Sequence, residues 1–486
     1  MKTSALFTDF YELTMMQGYF QEGNYSKRAI FDIFYRSNPN DNGYSIFAGL
    51  AQVIEYIENL AFTKQDIDFL RSLNKFSNEF LDYLQEFKFS GTIYSVKEGS
   101  VIFPGEPLIK VIAPIIETHL IEGALLNIIN LQCLIATKAS RMLQACEGDK
   151  LIELGLRRAQ GASAALYGSR AATIGGCSFT SNVLAGQKFG ISLTGTHSHS
   201  WIMSFKTELL AFKAYASLNK QVCILLVDTY NTLKSGVPNA IKIFDQLKKD
   251  NTLLTYGIRL DSGDLAYLSK EARKMLDDAG HKNAIISASN DLDENIIKDL
   301  KQQGATITLW GAGTNLITSS GHSSFGGVYK LAAIEEENGF FRPKIKISES
   351  PEKINNPGNK KVFRLYDSSS KKIKADLITL NDEEIDTTKD LTIFHPLQTW
   401  KKITLKKGQF YFRELLEKVV DNGNTVYESP SILEIQKYCE NEKDSLWEEY
   451  KRLNNPNILP VDLSLPLYNL KQQMISEILA NNEASK

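Results

Sequence analysis

From about Leu151 to Thr314 the chain repeats one unit: a short apolar run, a polar tip, then an amphipathic segment. The runs read Lys150–Leu154, Ile191–Leu193, Val222–Val227, Thr255–Leu260, Ala284–Ser287 and Thr306–Leu309. Helical patterns over Ser204–Leu218, Ala240–Lys249, Leu265–Ala279 and Glu294–Gln303 lie between them. Run starts recur roughly every 25–40 residues, the length of one βαβ unit, so the strands are expected to lie parallel. Six consecutive units suit a barrel or an open doubly wound sheet, and both place ligands at the C-terminal strand ends, where the polar tips fall. No Gly-x-Gly-x-x-Gly fingerprint opens the first unit, which favours the barrel.

The flanks read differently. Ala29–Tyr35, Thr92–Val96 and Leu108–Ile112 are candidate strands, the last two flanking the turn Phe103-Pro104-Gly105-Glu106-Pro107. A long apolar-rich helix is expected over Glu117–Cys146. Strand patterns return at Gly327–Ile334 and Arg342–Ile347 around an Asn-Gly turn, then at Val362–Tyr366 and Leu377–Leu380, with a terminal helix at Ser464–Ala480. At 486 residues two domains are expected. Residues 1–145 and 326–486 together read as one α+β domain and 146–325 as an α/β barrel. The charged stretch Lys371–Asp390 reads as a solvated edge, and no motif stands out beyond about Ser370.

Lysine plus arginine (55) nearly balance aspartate plus glutamate (57), which argues against a nucleic-acid-coating or membrane-surface role. No apolar run approaches the roughly 20 residues of a membrane helix, and the N-terminus lacks a secretory signal's apolar core. Five cysteines without Cys-x-x-Cys spacing fit buried thiols in a reducing cytoplasm.

The tips carry the chemistry. Gly195-Thr196-His197-Ser198-His199-Ser200-Trp201 holds two of only six histidines. Imidazole can serve as base, metal ligand or nucleophile, or simply pack in the core. A His-x-His metal site of a barrel hydrolase would need further histidines on later strands. The later tips instead supply Asp261, Ser289 and Asn290. Asp261-Ser262-Gly263-Asp264 reads in part as a helix N-cap, yet Asp261 can also bind vicinal ribose hydroxyls or a magnesium ion. Gly311-Ala312-Gly313-Thr314 at a helix start offers amide and hydroxyl donors to a phosphate. Arg157 and Arg158 carry forked donors for phosphate or carboxylate, or form surface ion pairs. Phosphate donors, a ribose-type carboxylate and a histidine in a non-metal role point to a phosphorylated sugar.

With these residues on view, the chain resembles the nicotinate phosphoribosyltransferases over essentially its whole length. The markers are Thr8 to Met15, Glu98 to Leu108, Gly155 to Gly161, Gly195 to Ser200, Arg259 to Asp264, and Gly313-Thr314. The resemblance implies an irregular (β/α) barrel of the type II phosphoribosyltransferase kind with a split α+β domain, working as a homodimer. It implies transfer of phosphoribose from phosphoribosyl pyrophosphate to nicotinate in NAD salvage, with ATP as co-substrate and Mg2+ as cofactor. It makes His199 the histidine that ATP phosphorylates, carries no role to His197, and places Tyr11, Thr196 and Arg259 around nicotinate. It also makes Arg157 and Thr314 phosphate contacts and Asp261 a ribose contact, and Arg158, Ser289, Gly311 and Gly313 on the same tips are read as phosphate-binding with them. Related nicotinamide enzymes carry an aspartate near Asn182, so an uncharged residue there favours the acid over the amide. Nicotinamide- and quinolinate-type transferases are the alternatives to be separated.

Overall fold

The computed structural model describes residues 4–250, 255–350 and 353–484. The chain forms two compact units: Met1–Leu134 with Ser324–Pro430 and Lys437–Lys486, and Ile135–Ser323 with Ser431–Gln436. The expected boundary at 145/146 falls instead at 134/135, inside the helix Glu122–Ala145. The apolar residues of this helix up to Leu134, among them Leu125, Ile129 and Cys133, belong to the core of the first unit. Ser431–Gln436 joins the second unit because Gln436 Nε2 donates to the carbonyls of Thr173 (2.7 Å) and Cys177 (2.9 Å).

The second unit holds the repeated strands: β1 (Lys150–Glu153), β2 (Phe179–Thr180), β3 (Val222–Leu226), β4 (Thr255–Leu260), β5 (Ile285–Ala288) and β6 (Leu309–Ala312). They pair in parallel in the order β2-β1-β6-β5-β4-β3. The last strand therefore returns to the first, and chain order is kept around the ring. A doubly wound sheet would instead reverse its strand order at a switch point. The ring is an incompletely closed half-barrel whose gap lies between β2 and β3. Ile191–Leu193, expected as a full strand, falls in that gap and contributes one bridge, Leu193 to Thr180. Its polar, glycine-rich continuation offers no further apolar positions to hold a ladder in register.

Two further expectations shift. The run expected at Thr306–Leu309 becomes a strand only over Leu309–Ala312. Trp310 anchors it, fully buried with its indole N–H donating to Asp149 at 3.0 Å. The helix expected over Ser204–Leu218 shortens to Glu208–Leu218, and a separate short helix, His199–Met203, precedes it. The longer helix starts where Thr207 caps the Leu210 amide.

The first unit carries a seven-stranded antiparallel sheet in which Arg28–Tyr35 pairs with both Gly327–Glu335 and Ile109–Pro114. The expected strand Arg342–Ile347 shortens to Phe341–Pro343. A second, six-stranded sheet takes up much of the region beyond residue 370, and the edge expected at Lys371–Asp390 is corrected by it. Ile373–Leu380 runs between Lys360–Asp367 and Val461–Leu463, with Ala375, Leu377 and Ile378 buried. Asp376 supplies a charge to the pattern yet is itself fully buried, because Arg364 on the neighbouring strand neutralises it.

Candidate active site

All six barrel strands run the same way, so their C-terminal ends collect Arg157, Asp228, Asp261, Ser289 and Thr314 at one end of the half-barrel. Arg259, the penultimate residue of β4, turns toward the histidine loop. Its guanidinium donates to Thr196 Oγ1 at 2.6 Å and to the His197 carbonyl at 3.1 Å, while its Nε is buried with no partner among the described residues. Burial lowers the Arg259 pKa, and the carboxylates of Asp261 and Asp228 oppose that fall.

Asp261 follows at the strand end. Its amide donates to Asp228 Oδ2 at 2.9 Å and its Oδ1 accepts from the Ser289 hydroxyl. His199 Nε2 stands 3.6 Å from Asp261 Oδ2, and His199 Nδ1 lies 3.1 Å from Thr229 Oγ1. A polar chain thus runs Ser289–Asp261–His199–Thr229 across three neighbouring strand ends. Both His199 and Asp261 keep solvent access, with side chains 40% and 34% exposed, so a substrate can reach them.

Asp228 was not among the residues singled out from sequence. Its Oδ2 accepts from the Asp261 amide and from Ser262 Oγ at 2.6 Å, and its Oδ1 is buried without a partner among the described residues. The signal was present: Asp228 ends the apolar run Val222–Val227 just as Asp261 ends its own. Two carboxylates on adjacent strand ends, one with a free oxygen, suit a hard cation that shares its ligands with phosphates.

Other residues are placed less directly. Arg157 and Arg158 lie exposed on the single turn Leu156–Arg158 after β1. Gly313 and Thr314 begin the four-residue helix after β6. Gly311 sits within β6, and a Cβ there would come within 2.7 Å of Leu154 Cδ1, so this glycine serves strand packing. Ser289 commits its hydroxyl proton to Asp261. Asn182 is buried and caps the helix Val183–Phe189 through Oδ1, while Nδ2 donates to the Ala165 carbonyl (3.2 Å) and Ser169 Oγ (3.1 Å). Its hydrogen-bonding groups are spent within the protein. Tyr11 lies in the first unit, on the helix Phe10–Gln21, 49% exposed. Partial burial, reinforced by Glu122, Glu12 and Asp9, pushes its phenol up to about 12.

His197 has a structural place. It is buried, packs its ring on Tyr215, and its Nε2 accepts from the Leu226 amide of β3 at 3.3 Å, spanning the gap in the half-barrel. Burial lowers its pKa to about 4, below an unfolded value near 6.5. The unfolded chain therefore takes up this proton first, and stability should fall as pH drops from about 6.5 to about 4. His197→Gln, which keeps an acceptor, should flatten that segment of the stability curve. His197→Phe should cost about 1–3 kcal/mol by orphaning the Leu226 amide. Urea melts of both variants from pH 4 to 8 read the difference; parallel curves for wild type and His197→Gln would refute it.

Comparison with known proteins fits this geometry. Family descriptions for the nicotinate phosphoribosyltransferase N-terminal domain, the nicotinate phosphoribosyltransferase family and its C-terminal domain match residues 6–130, 150–377 and 359–471. A nicotinate phosphoribosyltransferase of Bacillus subtilis is 46% identical over 479 residues, covering 99% of this chain and 96% of its own. The chain belongs to the nicotinate phosphoribosyltransferase family. The crystal structure of human nicotinic acid phosphoribosyltransferase superimposes with a TM-score of 0.84 at 28% identity, covering 96% of this chain and 99% of its own. A nicotinate-nucleotide pyrophosphorylase from Pyrococcus furiosus shares the fold, with a TM-score of 0.68 at 21% identity over 90% of this chain and 94% of its own. Among the described residues, no helix is long and apolar enough to cross a membrane.

Proposed function

We propose that the site joins nicotinate to phosphoribosyl pyrophosphate, releasing pyrophosphate, with ATP as co-substrate, in pyridine nucleotide salvage. The observation that carries this reading is the juxtaposition of the Arg259–Thr196 pair with the Asp261–His199 pair on β4 and the loop beside it. The Arg259 guanidinium, with its Nε unspent, offers a carboxylate a forked partner, and Thr196 fixes its orientation. The nicotinate ring nitrogen then attacks C1 of the ribose as the bond to pyrophosphate breaks, through an oxocarbenium-like transition state. Asp261, clamped by Ser289 and by the Asp228 contact, holds the ribose hydroxyls. Arg157, with the amides and hydroxyl at Gly313-Thr314, holds phosphate. Asp228 and Asp261 are the residues that would hold magnesium, which when bound neutralises charge on the leaving pyrophosphate.

ATP transfers its γ-phosphoryl group to an imidazole nitrogen of His199, ADP departs, and water later hydrolyses the phosphohistidine. Asn182 supports the acid over the amide only as an uncharged residue at this position, since its own side chain is spent on Ala165, Ser169 and Ala185. Five buried cysteines, none in a disulfide among the described residues, support a reducing, cytoplasmic setting. A homodimer is supported by the exposed apolar residues Val183, Leu184 and Met203 of the second unit, which a second copy would cover.

The decisive test is nucleotide formation from radiolabelled nicotinate with and without ATP, alongside nicotinamide and quinolinate. Label should pass from nicotinate, faster with ATP; preferred turnover of either other pyridine would overturn the assignment. His199→Ala should lose ATP hydrolysis and ATP stimulation while keeping slow ATP-independent transfer. Should the variant still hydrolyse ATP in the presence of substrate, His199 is not the phosphoryl acceptor.

A further inference from the structure

The first unit encloses a cavity of about 390 Å³, within the size range of small-molecule sites. Its residues come from the two large sheets of that unit, from the helix Leu465–Ala484, and from the Pro104-Gly105 turn, a sequence marker to which the proposed chemistry gives no role. Much of the wall is apolar, including Phe34, Ile378 and Val461.

The polar groups in this wall are unusual. Lys471 is 2% exposed and its ammonium makes one hydrogen bond, to Asn356 Oδ1 at 2.9 Å, with no carboxylate partner among the described residues. Lys360, also buried, is already neutralised by Asp32 Oδ2 at 2.8 Å, so it does not relieve Lys471 and instead repels it. Burial, with Lys360 adding, lowers Lys471 to about 8. An ammonium nine-tenths buried against open volume lacks the counter-ion that such charges ordinarily carry. Arg36 and Lys401, both exposed, add positive charge to the lining, and neither has an ion pair among the described residues. Asp32 Oδ1 is buried without a partner among the described residues, an acceptor left for a ligand hydroxyl. His395 Nδ1 accepts from the amides of Leu397 (3.1 Å) and Gln398 (2.9 Å), which leaves its other nitrogen to donate. The cations outnumber what one carboxylate would neutralise, and the apolar wall would repel a bare inorganic ion.

We propose that this cavity is a second binding site, for a phosphate monoester with a small apolar body, its phosphate against Lys471 and Lys401. The site lies wholly in the first unit, whereas the barrel tips lie in the second. Phenyl phosphate is a suitable probe. Crystals grown at a concentration that saturates its calorimetric isotherm should show the ester in the cavity, its phosphate within hydrogen-bonding distance of Lys471 Nζ. Lys471→Met keeps the stem volume and removes the charge, and it should weaken that isotherm at least tenfold while labelled-nicotinate turnover is retained. Lys401→Gln, which removes the exposed charge without adding one beside the buried Asp462 carboxyl that Lys401 faces, should weaken it several-fold and keeps the test available if Lys471→Met fails to fold. Benzoate should bind less tightly than phenyl phosphate. A cavity empty at saturation, an isotherm unchanged in both variants, or benzoate binding as tightly as the ester would each overturn the proposal.

Discussion

Replacing Asp261 by alanine is expected to lower kcat/KM for phosphoribosyl transfer by about 10²–10³-fold, roughly 2–4 kcal/mol of transition-state stabilisation. The size follows from the convergence on this one carboxylate. Its backbone is pinned by Asp228, its Oδ1 by Ser289, and its Oδ2 faces His199 at 3.6 Å. A group held in that way needs little reorganisation as charge develops on the ribose. Asp261→Asn should retain part of the positioning but lose the charge, so it should fall between wild type and Asp261→Ala. Asp228→Ala should act through the same carboxylate and be markedly non-additive with Asp261→Ala. Steady-state kinetics with phosphoribosyl pyrophosphate as the varied substrate provide the readout. An unchanged kcat/KM in Asp261→Ala would remove this residue from the ribose site.

How far the sequence foretold this site depends on which physical signal each residue leaves. The βαβ spacing announced parallel strands, and the apolar runs ending in Asp261 and Ser289 announced strand tips, because burial and chain reversal are both local in sequence. The barrel was favoured over an open sheet by the missing glycine fingerprint, but the place where the ring stays open, between β2 and β3, could not be read, since strand pairing is set by packing across the whole unit. Gly311 was misplaced for a related reason. A glycine after an apolar run looks like a turn, and only the crowding by Leu154 shows that it belongs to the strand. Asn182 and Ser289 look equally available in sequence, yet both spend their donors on neighbours brought close by the fold. His197 and His199, two residues apart, receive opposite assignments. One closes a gap between strands and the other faces a carboxylate, a division no spacing rule contains. The second sheet was only partly legible: Val362–Tyr366 and Leu377–Leu380 read as strands, but Asp376 in Ile373–Leu380 reads as solvated until Arg364 is found beside it.

That pairing yields the largest expected stability effect. Arg364 is fully buried and binds Asp376 through two bonds, Nε to Oδ1 at 2.9 Å and Nη2 to Oδ2 at 2.7 Å, across the register of the neighbouring strands. Its Nη1 reaches Glu442 Oε2 at 2.9 Å, and Glu106 Oε1 lies 4.0 Å from Nη2. Burial, together with the nearby Asp376, already drives Glu106 well above the usual carboxylate range, while the surrounding acids raise Arg364. Arg364→Met preserves the stem and strands the buried Asp376, while Glu442 keeps Arg413 Nη2 at 2.8 Å, and it should cost about 3–5 kcal/mol. The loss should depend on pH in a defined sense. With the guanidinium gone, the buried acids bind protons more tightly in the folded chain than in the unfolded chain, whose carboxylates titrate near 4. The contribution of these acids to the variant's stability should therefore be greatest at low pH and decline as pH rises above about 4–5. Denaturant midpoints should show the gap from wild type narrowing between pH 8 and pH 5.5, with Arg364→Lys intermediate because it keeps the charge and loses the fork. A gap below about 1 kcal/mol, or one that widens on acidification, would show that these carboxylates are neutralised by something other than Arg364.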